Sequence, residues 1–162
     1  CRYSTQSNSR RVSGMSDTNR QATFRGYGRS LPMALLRARD TVMNRFRPIL
    51  RSHDVTEQQF RILRALTTAK ELRAVDVSKM TLLSPPSLSR TIKGLEGRKL
   101  ITRRIEKEDQ RAFMLSITKK GAALVALIGQ QSEAEYLDIE GRIGSKKMDQ
   151  LHRLLSEVEE KI

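Results

Sequence analysis

The sequence predicts a mostly α fold interrupted by one β-hairpin, an α+β arrangement. Three observations carry this reading. From Ser30 onward apolar residues recur three and four apart, the period of a helix with one buried face. Between residues 100 and 117 the period drops to two, then returns to the helical one. The chain has 162 residues and is 38% hydrophobic, enough for one domain with a core.

Charge narrows the partners. The formal net charge is +13, and it is unevenly spread. Residues 70–120 hold thirteen Lys and Arg against six acids, whereas 121–162 hold five against eight. A positive field centred on the middle of the chain points to a polyanion such as double-stranded DNA. No apolar run is long enough to span a membrane, and the N-terminus carries no signal-peptide pattern, so the cytoplasm is expected. Cys1 is the one cysteine, and His53 and His152 have no ligand-spaced neighbours, so no metal, cofactor or thiol switch is expected. Enzyme chemistry has no foothold either: there is no glycine-rich phosphate loop, nucleophile elbow or His pair.

Residues 1–29 are polar, basic and aperiodic, and read as a disordered tail. Such a tail could also touch DNA phosphates or wrap a dimer partner. A chain opening on Cys1 leaves a fragment or an upstream extension open; Met15 is a candidate natural start. Ser30 is placed to cap a helix reaching about residue 53, with Leu31, Leu35, Ala38, Val42, Phe46 and Leu50 along one face and Met33, Leu36, Met43 and Ile49 widening it. Pro48 inside this pattern predicts a kink or break. Thr56 and Gln59 have the spacing of a capping box, opening a second helix that carries Phe60, Leu63 and Leu66 to about Ala69. A short third helix follows at about 74–81.

The fourth helix begins sharply. Ser84 is placed to accept the open amides of the first turn, and Pro85 takes the position where a missing N–H costs nothing. Leu88, Ile92 and Leu95 form one apolar stripe. Ser87, Ser89, Arg90 and Lys93 lie off it and offer hydroxyls and cations, which suits a DNA major groove. Gly97 with Arg98 and Lys99 should end the helix.

Residues 100–105 read as one strand and 113–117 as its partner, with a charged loop, Glu106 to Arg111, between them. Helix, helix and hairpin in this order give a winged helix-turn-helix, whose arginine-bearing wing tip can reach a narrow minor groove. Thr118 caps a long helix over about 119–140, residues 141–144 break it, and Ser145 caps the last. There Met148, Leu151, Leu155, Val158 and Ile162 make an a/d seam, which predicts a homodimer. The expected organisation is a tail (1–29), dimerisation helices (30–53 and 118–162) and a reading head (56–117).

On these residues the chain resembles the MarR family of transcriptional regulators. The resemblance runs from Ser30 to Ile162 and rests on the capped helix over 56–64, on Pro86-Ser87-Leu88-Ser89-Arg90-Thr91-Ile92, on Leu95-Glu96-Gly97-Arg98-Lys99-Leu100-Ile101, and on Asp109-Gln110-Arg111 leading to Leu115-Ser116-Ile117-Thr118-Lys119-Lys120-Gly121. It implies that Asp109 braces the wing and Arg111 enters the minor groove. The candidate DNA contacts are therefore Ser84, Pro86, Ser87, Ser89, Arg90 and Lys93, with Arg103, Lys107, Asp109 and Arg111 in the hairpin. A narrower resemblance, to the regulators of homoprotocatechuate and hydroxyphenylacetate degradation, rests on Leu35-Leu36-Arg37-Ala38-Arg39, Phe46-Arg47-Pro48-Ile49 and Thr56-Glu57-Gln58-Gln59-Phe60-Arg61-Ile62. That subgroup usually has Trp where Phe60 stands, a basic residue at Pro85 and Gly at Arg90.

An aromatic acid such as a hydroxyphenylacetate needs a cation for its carboxylate and a wall for its ring. Glu57, Phe60 and Arg64 share one face of the second helix. Arg64 could grip the carboxylate, Phe60 stack the ring and Glu57 accept from a ring hydroxyl. Tyr136 could close the pocket, and Ser30 could come from the partner subunit. Arg39 and Arg47 are further candidates that read more simply as structural ion pairs. The resemblance implies a pocket here and a repressor that leaves a palindromic operator when the acid binds. A non-specific nucleic-acid packaging protein would explain the charge but not the capped, serine-bearing helix.

Overall fold

The computed structural model describes residues 30–105 and 113–162. Along them run α1 (Leu31–Ser52), α2 (Glu57–Ala65), β1 (Leu72–Arg73), α3 (Ala74–Thr81), α4 (Pro85–Gly97), β2 (Ile101–Ile105), β3 (Phe113–Ile117), α5 (Lys119–Ile143) and α6 (Ser145–Lys161). The expected tail over 1–29 and the hairpin loop at 106–111 lie outside the described residues. The chain divides into two units, 1–37 and 38–162. The described part of the first is Ser30 and the opening turns of α1, where Leu31, Leu35 and Leu36 are exposed.

The helix starts follow local chemistry. At α2 the capping box is complete: Gln59 N–H donates to Thr56 Oγ1 at 3.2 Å, and Thr56 N–H donates to Gln59 Oε1 at 3.0 Å. Pro85 is the first residue of α4. Ser84, however, makes no capping bond; its hydroxyl donates to Ser87 Oγ at 3.1 Å. Ser30 holds the cap position of α1, and its backbone carbonyl accepts Ala34 N–H at 2.9 Å. The cap of α6 differs from the expected Ser145. Gly144, at φ 88°, occupies the cap position of α6.

Helix ends are less legible. α1 runs through Pro48 to Ser52 without a break. Pro48 stands one turn from the end, and the neighbouring Phe46 and Leu50 are buried, so core packing holds that turn despite the lost N–H. α2 stops at Ala65, before the expected Ala69. Thr67 and Thr68 turn their hydroxyls onto the carbonyls of Arg64 and Ala65, both at 2.7 Å, offering the backbone a local alternative. After α4 the left-handed residue is Lys99, φ 57°, rather than Gly97. α5 continues through Gly141 and ends only at Ile143.

The hairpin gains a third strand. The order is β1-β3-β2, all antiparallel, with Leu72 opposite Leu115 and Arg103 opposite Leu115 on the other side. Two residues are too short for periodicity to reveal, which is why β1 escaped the sequence reading. The main core lies under this sheet and α2–α4: Ile62, Leu63, Leu66, Val77, Leu88, Ile92, Leu95, Leu100 and Leu115. A smaller cluster of Leu50, Val55 and Ile128 joins α1, the α1–α2 turn and α5, with Phe60 packed against it. The start of α5 is clamped to the sheet. Thr118 Oγ1 accepts Gly121 N–H at 3.0 Å and lies 3.0 Å from the Leu100 carbonyl. A Cβ on Gly121 would stand 2.2 Å from that carbonyl oxygen, so only glycine fits.

Candidate nucleic-acid interface and ligand site

The α4 stripe of Leu88, Ile92 and Leu95 is buried as its spacing requires. The opposite face is therefore turned outward: Ser84, Pro86, Ser89, Arg90 and Lys93 are exposed, and Ser87 is half-buried. Thr91 Oγ1 donates to the Ser87 carbonyl at 2.7 Å, and the Ser87 hydroxyl accepts from Ser84 Oγ at 3.1 Å. This face carries hydroxyl donors and two cations, with no acid from Ser84 to Lys93.

Arg103 does not sit with that group. It lies on β2, its Nε 3.4 Å from Glu96 Oε1 and its guanidinium 4.7 Å above the Phe113 ring. It braces the wing stem against the end of α4. Arg104 makes a two-pronged pair with Glu71, at 2.6 and 3.0 Å, beside β1. That contact draws the Glu71 carboxyl below its usual range. Lys107, Asp109 and Arg111 fall outside the described residues.

Of the ligand candidates, Glu57, Phe60 and Arg64 share α2, but their surroundings differ. Arg64 is exposed and makes no ion pair among the described residues. Phe60 packs partly into the smaller core. Glu57 is engaged: Arg47 Nε donates to it at 2.7 Å, and Arg39 pairs with its other oxygen. Burial pushes the Glu57 carboxyl up, but the bonds from Arg47 and Arg39 outweigh it and hold the group below the usual range. Arg47 also pairs with Asp40 at 2.7 Å. Arg39 and Arg47 thus form structural ion pairs. Beside them a hollow of about 210 Å³ is lined by Arg47, Leu50, Arg51, Val55, Thr56 and Glu57. Tyr136, half-exposed on α5, lies against Phe46 with ring centroids 4.7 Å apart. Ser30 is half-buried and belongs to the other unit of the chain.

Sequence spacing missed the hub of this region. Successive helical residues point about 100° apart, so Arg45, Phe46 and Arg47 reach three directions. Arg45 pairs with Glu135 at 2.6 Å and Asp138 at 2.7 Å on α5. Phe46 meets Tyr136, and Arg47 reaches Glu57 on α2. No local pattern signals such pairs, because the partners come from other elements; the one hint is the acids Glu135 and Asp138, set three apart in a basic chain. On α6, Met148, Leu155 and Val158 are half-buried, while Leu151 and Leu154, and Ile162 just after the helix, are exposed. Among the described residues no helix is long and apolar enough to cross a membrane, and no group of acidic, histidine or cysteine side chains could hold a metal ion.

The MarR family sequence model matches residues 53–112. The homoprotocatechuate degradative operon repressor of Escherichia coli is 38% identical over 128 residues, 79% of this chain and 86% of that protein. The transcriptional regulator FarR of Neisseria gonorrhoeae is 35% identical over 129 residues, 80% of this chain and 88% of its own. Among solved structures, NadR in complex with 4-hydroxyphenylacetate is similar at a TM-score of 0.70 and 35% identity, over 80% of this chain and 92% of that one.

Proposed function

The chain belongs to the MarR family, and from that premise we propose that it represses an aromatic-acid degradation operon. A homodimer would bind a palindromic operator and be released by a small phenolic or aromatic carboxylate. The observation that carries the reading is the outward face of α4, where Ser84, Pro86, Ser87, Ser89, Arg90 and Lys93 present donors and cations without an acid. Such a face suits base edges and phosphates. Arg103, Lys107, Asp109 and Arg111 supply the wing, with Arg111 in the minor groove. Met148, Leu151, Leu155, Val158 and Ile162 supply the dimer seam, with Leu151 and Ile162 exposed and the other three half-buried.

For the effector, Arg64 clamps the carboxylate, Phe60 faces the ring, Tyr136 closes the site and Ser30 comes from the partner subunit. A ring hydroxyl must compete with Arg39 and Arg47 for Glu57. Relatives support this chemistry: one represses homoprotocatechuate degradation, and another was solved with 4-hydroxyphenylacetate. The acid acts only through its different affinity for two arrangements of the dimer, so DNA and acid weaken each other equally.

The test is a gel-shift titration on DNA from beside the protein's own gene, at fixed salt, with and without 4-hydroxyphenylacetate or 3,4-dihydroxyphenylacetate. Tight binding that the acid releases is expected. Binding without release would keep a regulator with another effector or none; no preference over random DNA would leave a non-specific nucleic-acid binder. Arg111→Ala should weaken operator binding roughly tenfold, and unchanged affinity would remove the wing contact. Arg64→Ala should bind DNA normally yet resist release; normal release would exclude it as the clamp.

A further inference from the structure

At the far end of α4 from its serine-bearing start, three stretches of chain meet. The Arg98 guanidinium donates to the backbone carbonyls of Asp54 and, at 3.2 Å, His53, in the turn between α1 and α2. The Lys120 ammonium, on α5, donates to the Arg98 carbonyl at 3.1 Å. The Thr118 hydroxyl lies 2.9 Å from the Lys99 carbonyl. These bonds bring Arg98, Lys99 and Lys120, with Lys119 next to Lys120 in sequence, into one corner. Asp54 is the only acid in the contributing stretches, 51–54, 98–100 and 118–120. Lys99, Lys119 and Lys120 are exposed, and none of the four cations forms a salt bridge among the described residues. The self-repulsion of such a cluster is relieved by a polyanion.

We infer that this corner is a second phosphate-contacting surface, which meets the DNA backbone away from the bases that α4 reads. It rests on the operator-binding reading above. α4 has thirteen residues, so the corner lies about 20 Å from the start of the helix. That separation corresponds to about six base pairs of duplex. On this proposal the corner meets a neighbouring stretch of backbone. Four cations without a salt bridge among the described residues suit phosphates rather than base edges.

The experiment uses an operator selected by the wild-type protein from random duplexes, embedded either in a short probe or with ten added base pairs on each side. Binding is measured across a salt series for the wild type and for a triple variant, Lys99→Asn, Lys119→Gln and Lys120→Gln. Asn tolerates the left-handed backbone at position 99. A second variant, Lys119→Glu, places a carboxylate at the start of α5, where the helix favours it, and guards against a folding artefact. The expected result is that both variants keep the wild-type preference for the selected bases and bind the long probe more weakly. Their salt slope should be shallower by about 0.9 for each lost contact. Equal affinity and slope for wild type and both variants on the long probe would overturn the inference and leave the corner to an acidic protein partner. Failure of the wild type to enrich any sequence would instead remove the operator reading itself.

Discussion

Gly121 shows how much one residue can decide. The Cβ of Gly121→Ala would lie 2.2 Å from the Leu100 carbonyl oxygen and 2.9 Å from Ile117 Cγ1. Neither neighbour is free to yield, because the carbonyl belongs to the α4–β2 turn and Ile117 pairs with Ile101 across the hairpin. The substitution should cost about 2–3 kcal/mol, read as a lower urea midpoint with unchanged slope. Two other glycines differ. Gly97 and Gly141 have open space where a Cβ would go, so alanine there should be tolerated. The sequence could mark position 121 as part of a motif, but only the approach of helix to carbonyl says why the residue must be glycine.

Among the elements, α2 is where electrostatics meets architecture. Glu57 binds α2 to α1 through Arg47 and Arg39, and its carboxyl is held below the usual range. A carboxylate with a depressed folded-state pKa stabilises above its unfolded pKa, and that contribution is lost as pH falls through the folded value. The wild type should therefore lose melting temperature below about pH 4. Glu57→Gln should begin less stable at neutral pH and show a flatter acid limb; parallel limbs would exclude the ion pairs as a source of acid sensitivity. Most element positions were legible beforehand. The capping box of α2, the Pro85 start of α4 and the two main strands follow from neighbours in sequence. The unbroken α1, the two-residue β1 and the Arg45 pairs were hidden, because burial or a distant partner decides each. The α4 face was readable for the same reason that α4 was: one stripe had to be buried. The surroundings of Arg64, Phe60 and Tyr136 were not, since three helices set them.

For the whole molecule, the charge and the apolar surface point to different partners. The end of the chain is net acidic, and its last helix exposes Leu151 and Leu154, with Ile162 exposed just beyond it, while burying no residue fully. If that surface is a dimer seam, Leu151→Glu should shift sedimentation toward the monomer and, by halving the number of reading heads per particle, reduce operator affinity by more than tenfold. Unchanged mass would leave the seam without that role. Arg45, Phe46 and Arg47 bear on any such assembly. Because these neighbours grip α5 on one side and α2 on the other, α1 works as a spindle with two belts. A slip of one residue, a turn of about 100°, would throw both belts together. Any such turn would therefore have to break both sets of contacts at once.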